Sequence, residues 1–124
     1  MRSSFVPLAL LFISLGCGSR QNAEHTAQVT TGGDAKRGAA AIGRYGCGTC
    51  HVIPGVSGAV GKVGPPLTGI GARVYLAGEL QNTPDNMMRW IRNPQGVNPK
   101  TLMPNVGVTE QDARDIAGYL YTLR

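Results

Sequence analysis

Cys47-Gly48-Thr49-Cys50-His51 is the stretch on which the reading of this chain turns. Two thiols three residues apart lie on one face of a tight helical turn, with an imidazole directly after them. That spacing suits addition of both sulfurs to the two vinyl groups on one side of a porphyrin. The next residue, His51, is then held close to the iron. A C-x-x-C-H sequence therefore reads as covalent attachment of a c-type haem. A zinc site needs four ligands, and the only other Cys or His residues are Cys17 and His25. A redox-active dithiol needs a βαβ setting, which the surrounding pattern lacks. A plain disulfide between Cys47 and Cys50 is the remaining alternative.

Two further stretches bear on the same chemistry. Thr101-Leu102-Met103-Pro104 sets a thioether in a Pro-rich loop. Iron held by a His can take Met as its sixth ligand, which raises the reduction potential. The rivals are Met87 and Met88, which sit in the middle of an expected helix where Met more often fills a core, and His25. Gly64-Pro65-Pro66-Leu67 is a rigid loop that can offer a carbonyl to the other N–H of a ligating His.

Around these stretches the pattern is helical. Asp34 is a cap and Gly46 a stop for a helix over 34–46. Thr83 caps and Pro84 opens a helix over 84–92, which Asn93-Pro94 ends. Thr109 caps a helix over 110–123 whose Ala113, Ile116, Ala117, Leu120 and Tyr121 share one face. No alternating strand is visible. The Gly- and Pro-rich stretches 52–71 and 93–108 are long for a compact domain unless they wrap something. The chain has 124 residues, with 18 Gly and one Trp, so its core is poor in large side chains. Small scaffolds of this kind need a staple or a prosthetic group.

The N-terminus reads as an address. Arg2, the apolar run Phe5 to Leu15 and Gly16-Cys17-Gly18 follow the order of a secretory signal peptide over 1–16. The run is too short to span a bilayer. Cys17 resembles the lipidated residue of a bacterial lipoprotein. Residues 17–33 are polar without apolar period and are expected to form a flexible linker, reaching about 20–25 Å. The domain is then 34–124, and the location is the periplasm or the outer face of the cytoplasmic membrane.

Taken together, C-x-x-C-H, G-P-x-L and the later Met-Pro resemble class I cytochromes c over essentially all of 34–124. The resemblance implies an all-α fold of three to four helices, with long loops around one covalently bound haem. It implies that Gly38 and Ile42 cross Ile116 and Tyr119 at close contact. It also implies that the Pro66 carbonyl accepts from His51 Nδ1, that Met103 is the sixth ligand, and that Arg73, Tyr75 and Trp90 surround the haem propionates. The run from Asn82 through Trp90-Ile91-Arg92-Asn93-Pro94-Gln95 to Met103-Pro104-Asn105 is similar to cytochrome c domains associated with subunit II of bacterial haem–copper oxidases. With no copper-binding domain ahead of it, the chain is expected to be a separate membrane-tethered carrier between a quinol-oxidising complex and an oxidase.

Iron closed by His51 and Met103 has no open position, so electron transfer is expected rather than catalysis. The alternative is a haem enzyme or gas sensor with a labile Met103. The net charge of +5 suits acidic redox partners. No basic stripe or phosphate loop points to nucleic acid or nucleotides, and no small-molecule substrate is expected.

Overall fold

Two helices cross at the centre of the molecule, and glycine lets them touch. The computed structural model describes residues 18–124. The first of the pair, α2 (Ala35–Arg44), starts at the Asp34 cap, whose side chain accepts the Arg37 N–H at 2.7 Å. The second, α5 (Glu110–Tyr121), starts at Thr109, whose hydroxyl oxygen accepts the Asp112 N–H at 3.1 Å. Gly38 lies directly on the Asp115 carbonyl, and any Cβ there would also stand 3.0 Å from the Tyr119 Cβ. The absent side chain allows the close approach that packs Ala41 and Ile42 against Ile116 and Ala117 in one core.

A charged lock sits at this crossing. Asp115 is 1% exposed. Its carboxylate accepts from Arg37 Nε at 2.8 Å, from the Asp34 N–H at 2.8 Å and from Gln111 Nε2 at 3.1 Å. Burial pushes its pKa up, but these donors outweigh burial and hold it below the ordinary Asp value. The carboxylate thus joins the N-terminal end of α2 to the middle of α5.

The N-terminal segment departs from expectation. Residues 17–33 read as a flexible linker, yet Gly18–Thr31 forms a helix, α1, that lies on α5. Ala27 and Thr31 are buried, and Gly118 of α5 is the hollow that receives them. The Thr31 hydroxyl bonds the Arg114 carbonyl at 2.8 Å. Glu24 accepts the Ala35 and Lys36 N–H groups at 2.9 and 3.0 Å, satisfying first-turn donors of α2 that have no partner inside the helix. The apolar stripe is only Ala27 with Thr31, too thin to register as an amphipathic period. The signal peptide 1–16 and Cys17 lie outside the described residues.

Two other helices complete the set. α3 (Pro84–Arg92) spans the expected residues, with Thr83 as its cap. Asn93-Pro94 ends α3 but also opens a one-turn helix, α4 (Pro94–Val97), because the Asn93 side chain accepts the Gly96 N–H at 3.1 Å. Among the described residues five α-helices stand where three to four were expected. A two-residue hairpin, β1 (Tyr75–Leu76) with β2 (Leu80–Gln81), pairs Tyr75 with Gln81 and Leu76 with Leu80. Strands this short leave no alternation to read. No helix among the described residues is long and apolar enough to cross a membrane.

The Asp115 carboxylate should contribute stability that is fully present above the unfolded Asp pKa, near about 3.9. That stability should be lost as pH falls through the lower folded value. Asp115→Ala should cost about 1–3 kcal/mol at neutral pH, the cost of leaving its hydrogen-bond donors unmet, and should flatten the acid limb. Denaturant titration from pH 7 to pH 2 checks both effects.

Candidate functional site

Gly46, at φ 71°, ends α2 and turns the chain into a short 3-10 turn over Cys47–Thr49. The Cys50 and His51 N–H groups both donate to the Cys47 carbonyl, at 3.2 and 3.1 Å. The three chemical side chains are thereby gathered on one tight loop. Gly48 is closed over by Ala59, and Gly61 by the Thr49 backbone. The Gly61 N–H donates to the Gly48 carbonyl at 3.0 Å, so the strand of chain at 59–61 braces the turn from behind. Position 48 within the motif therefore has no room for a side chain.

Both thiols are free and half-buried. Burial pushes the Cys47 thiol above its ordinary pKa, and the neighbouring Cys50 adds to this. A dithiol built for redox exchange needs the opposite, a depressed thiol pKa. The Cys47 thiol thus carries no mark of a redox dithiol, and neither thiol is in a disulfide.

His51 Nδ1 lies 2.7 Å from the Pro65 carbonyl. A carbonyl only accepts, so Nδ1 carries the proton, and in the neutral ring Nε2 keeps its lone pair. Gly64 lies flat against the imidazole, and a Cβ there would meet Cε1, Nδ1 and Nε2. The expected acceptor, the Pro66 carbonyl, is displaced by one residue. The Gly64 N–H donates to the Cys50 carbonyl at 2.8 Å and the Leu67 N–H to the Val52 carbonyl at 2.9 Å, which sets the register of the loop. In that register Pro65 serves His51, while the Pro66 carbonyl takes Arg73 Nη2 at 2.5 Å.

These groups face a cleft of about 520 Å³, inside the range of about 300–1,000 Å³ usual for small-molecule sites. Cys47, Cys50, His51, Arg73, Tyr75, Trp90 and Met103 all line it; Pro66 does not. The rest of the wall is mainly apolar and includes Ile42, Ile53, Ile70, Ile91, Ile116 and Leu120. The two long loops do wrap something: each gives residues to the wall, Leu67 from the first and Met103 from the second. Met103 is fixed through its backbone, its N–H on Thr101 Oγ1 at 3.2 Å and its carbonyl accepting from Gln95 Nε2 at 2.7 Å. Met87 also reaches the wall but is buried in α3, and Met88 packs against the core away from the cleft. His25 is exposed on α1.

Two thiols, an imidazole with a free nitrogen and a thioether on one largely apolar wall fit a flat iron porphyrin attached by thioethers. Among the described residues no cluster of His, Cys, Asp or Glu side chains is arranged to hold a bare metal ion. Sequence reasoning passed over Gly64 and placed the carbonyl one residue late. The Gly of Gly-Pro-Pro was the available signal, since a residue without a side chain can lie against a ring.

Fold and cleft define a class: a small all-α protein folded around one flat prosthetic group. A family model described as Cytochrome c matches residues 35–124, and the chain belongs to the cytochrome c family. It is also similar to a protein named cytochrome c oxidase subunit 2 from Alkalihalophilus pseudofirmus (strain ATCC BAA-2126 / JCM 17055 / OF4), with 34% identity over 79 residues. That match covers 63% of this chain and 22% of the relative, so the chain spans about a fifth of the relative's length.

Gly64→Ala should press a methyl group into the His51 ring. The expected loss is about 1–3 kcal/mol, typical of overpacking, together with a changed visible absorption spectrum of the haem-loaded protein. An unaltered spectrum and melting curve would show that the loop yields freely.

Proposed function

We propose that this protein is a one-electron carrier in which a single haem is bonded to Cys47 and Cys50 and its iron is held by His51 and Met103. Membership of the cytochrome c family already implies haem c and electron transfer. The finer reading is carried by one observation: both thiols, the imidazole and the Met103 side chain line the same cleft. When bound, haem supplies a one-electron iron couple. The chain's own residues do the rest. Pro65 and Gly64 hold the imidazole in one orientation, which raises its basicity as a ligand. The isoleucine and leucine wall excludes water, which tunes the potential. A haem held by both His51 and Met103 would leave no site for a substrate, and the chain would supply position and electrostatics only. In this reading Arg73, Tyr75 and Trp90, all on the wall, surround the haem propionates.

The mouth of the cleft supports a docking role. Leu102 is 87% exposed and Val63 71% exposed, beside Lys100 and Lys62. Apolar contact with a basic border suits brief encounters with an acidic redox partner. The relative named as an oxidase subunit supports a terminal oxidase as acceptor; the donor proposed is a quinol-oxidising complex. Export to the outer face of the membrane, with lipid on Cys17, completes the reading. Because residues 18–31 form a helix that packs on α5 through Ala27 and Thr31, such an anchor would hold the domain close to the bilayer rather than on a long tether.

Met103→Ala should keep the haem attached and lower the reduction potential by more than about 59 mV, a tenfold change in a one-electron equilibrium. The reduced variant should bind carbon monoxide at neutral pH, and the reduced wild type should not. Rapid carbon monoxide binding by the wild type would favour a gas-binding or peroxidase-like role instead. Cys17→Ser should shift the protein from the membrane fraction to the soluble fraction, and retention in the membrane would contradict lipid anchoring.

A further inference from the structure

The Pro65-Pro66 pair that carries the His51 contact has no N–H of its own. It can be held only through its carbonyls and the flanking amides of Gly64 and Leu67. The Pro65 carbonyl is spent on His51. The next handle is the Pro66 carbonyl, and Arg73 takes it. One guanidinium nitrogen, Nη2, spans the Pro66 and Thr68 carbonyls, the latter at 3.0 Å. Such charge-assisted bonds are stronger than neutral ones. Arg73 is exposed, so the precision of this clamp depends on what holds its backbone.

That backbone is pinned from the core. Asn82 Nδ2 donates to the Ile70 and Arg73 carbonyls, both at 2.8 Å. The Asn82 N–H donates to the Val74 carbonyl at 2.9 Å. Asn82 Oδ1 in turn accepts the hydroxyl of Tyr121 at 2.8 Å. Tyr121 is 5% exposed on the last turn of α5. The Gly71 N–H bonds the Leu123 carbonyl at 2.9 Å, tying the same turn to the chain just beyond α5. Every polar atom of the Asn82 carboxamide is used, and each bond fixes the Ile70–Arg73 turn or orients the side chain that does.

We infer that Tyr121 and Asn82 are positioning residues for the His51 imidazole, acting through the Arg73 clamp on the Pro65-Pro66 loop. The relay runs from Tyr121 to Asn82, to the Arg73 backbone, to the Pro66 carbonyl and so to the Pro65 carbonyl on Nδ1. It ties the orientation of the imidazole to the C-terminal end of α5, on the far side of the 52–71 loop. This inference rests on the reading of His51 as iron ligand.

The test uses haem-loaded protein in three variants. Tyr121→Phe removes only the hydroxyl. Asn82→Ala removes the carboxamide, and Tyr121→Phe stands alone if Asn82→Ala does not fold. Gly118→Ala presses on α1 and serves as a control that perturbs the fold without touching the relay. The readouts are solvent exchange of the His51 Nδ1–H by NMR, well below the melting temperature, and the reduction potential. Both relay variants should accelerate exchange by roughly threefold to tenfold, the worth of one hydrogen bond. Both should shift the potential upward, because a looser Nδ1 contact leaves a less basic ligand for the oxidised iron. Gly118→Ala should move neither. An unmoved exchange rate in Tyr121→Phe, or equal acceleration in Gly118→Ala, overturns the relay. A wild type whose spectrum lacks a His-ligated haem would instead overturn the reading on which it rests.

Discussion

The chain builds a wall it cannot close by itself. Helices α2, α3 and α5 and two long loops turn isoleucines, leucines and two methionines toward a cleft of about 520 Å³. An apolar wall left open to water forgoes the burial of its side chains, each worth about 1.5–3 kcal/mol. The deficit follows from composition: among residues 34–124 the large aromatics are four tyrosines and one tryptophan. In the proposed reading, a rigid planar group bonded to the Cys47 and Cys50 sulfurs supplies the missing core and brings the iron with it. Folding and function therefore share one interaction, the seating of that group against the Cys47–His51 turn.

Small residues make the seat exact. Gly38 lets α2 and α5 touch, Gly48 lets the bracing segment close over the attachment turn, and Gly64 lets the loop lie on the imidazole. Each replaces a side chain with a contact. The polar counterpart is full use of buried donors and acceptors. Asp115 ties two helices, Asn82 ties a turn to α5, and no buried side-chain nitrogen or oxygen among the described residues lacks a partner. The loops look irregular in sequence, yet backbone bonds to the attachment turn hold them in register.

Much of this was legible in the sequence, and the misses have physical reasons. The helices α2, α3 and α5 carry side-chain caps and, in α5, a broad apolar face, so local chemistry alone marks them. The C-x-x-C-H turn was readable because spacing and chemistry coincide. Helix α1 was hidden because its stability is borrowed from α5: two small residues meet a glycine, and no local pattern records that. The hairpin and α4 are too short for periodicity. The shift from Pro66 to Pro65 escaped because register is set by backbone bonds from Gly64 and Leu67, which no side-chain pattern reveals. In sequence Asn82 only opens the oxidase-like stretch and Tyr121 only extends the apolar face of α5, until the fold brings them together.

The most direct measurement is intact mass, together with thiol alkylation, on protein produced in a host that attaches haem to exported chains. The account predicts one species heavier than the mature polypeptide by one haem, with Cys47 and Cys50 both resistant to alkylation after denaturation. A properly exported chain of bare polypeptide mass, with both thiols open to the reagent, would contradict it.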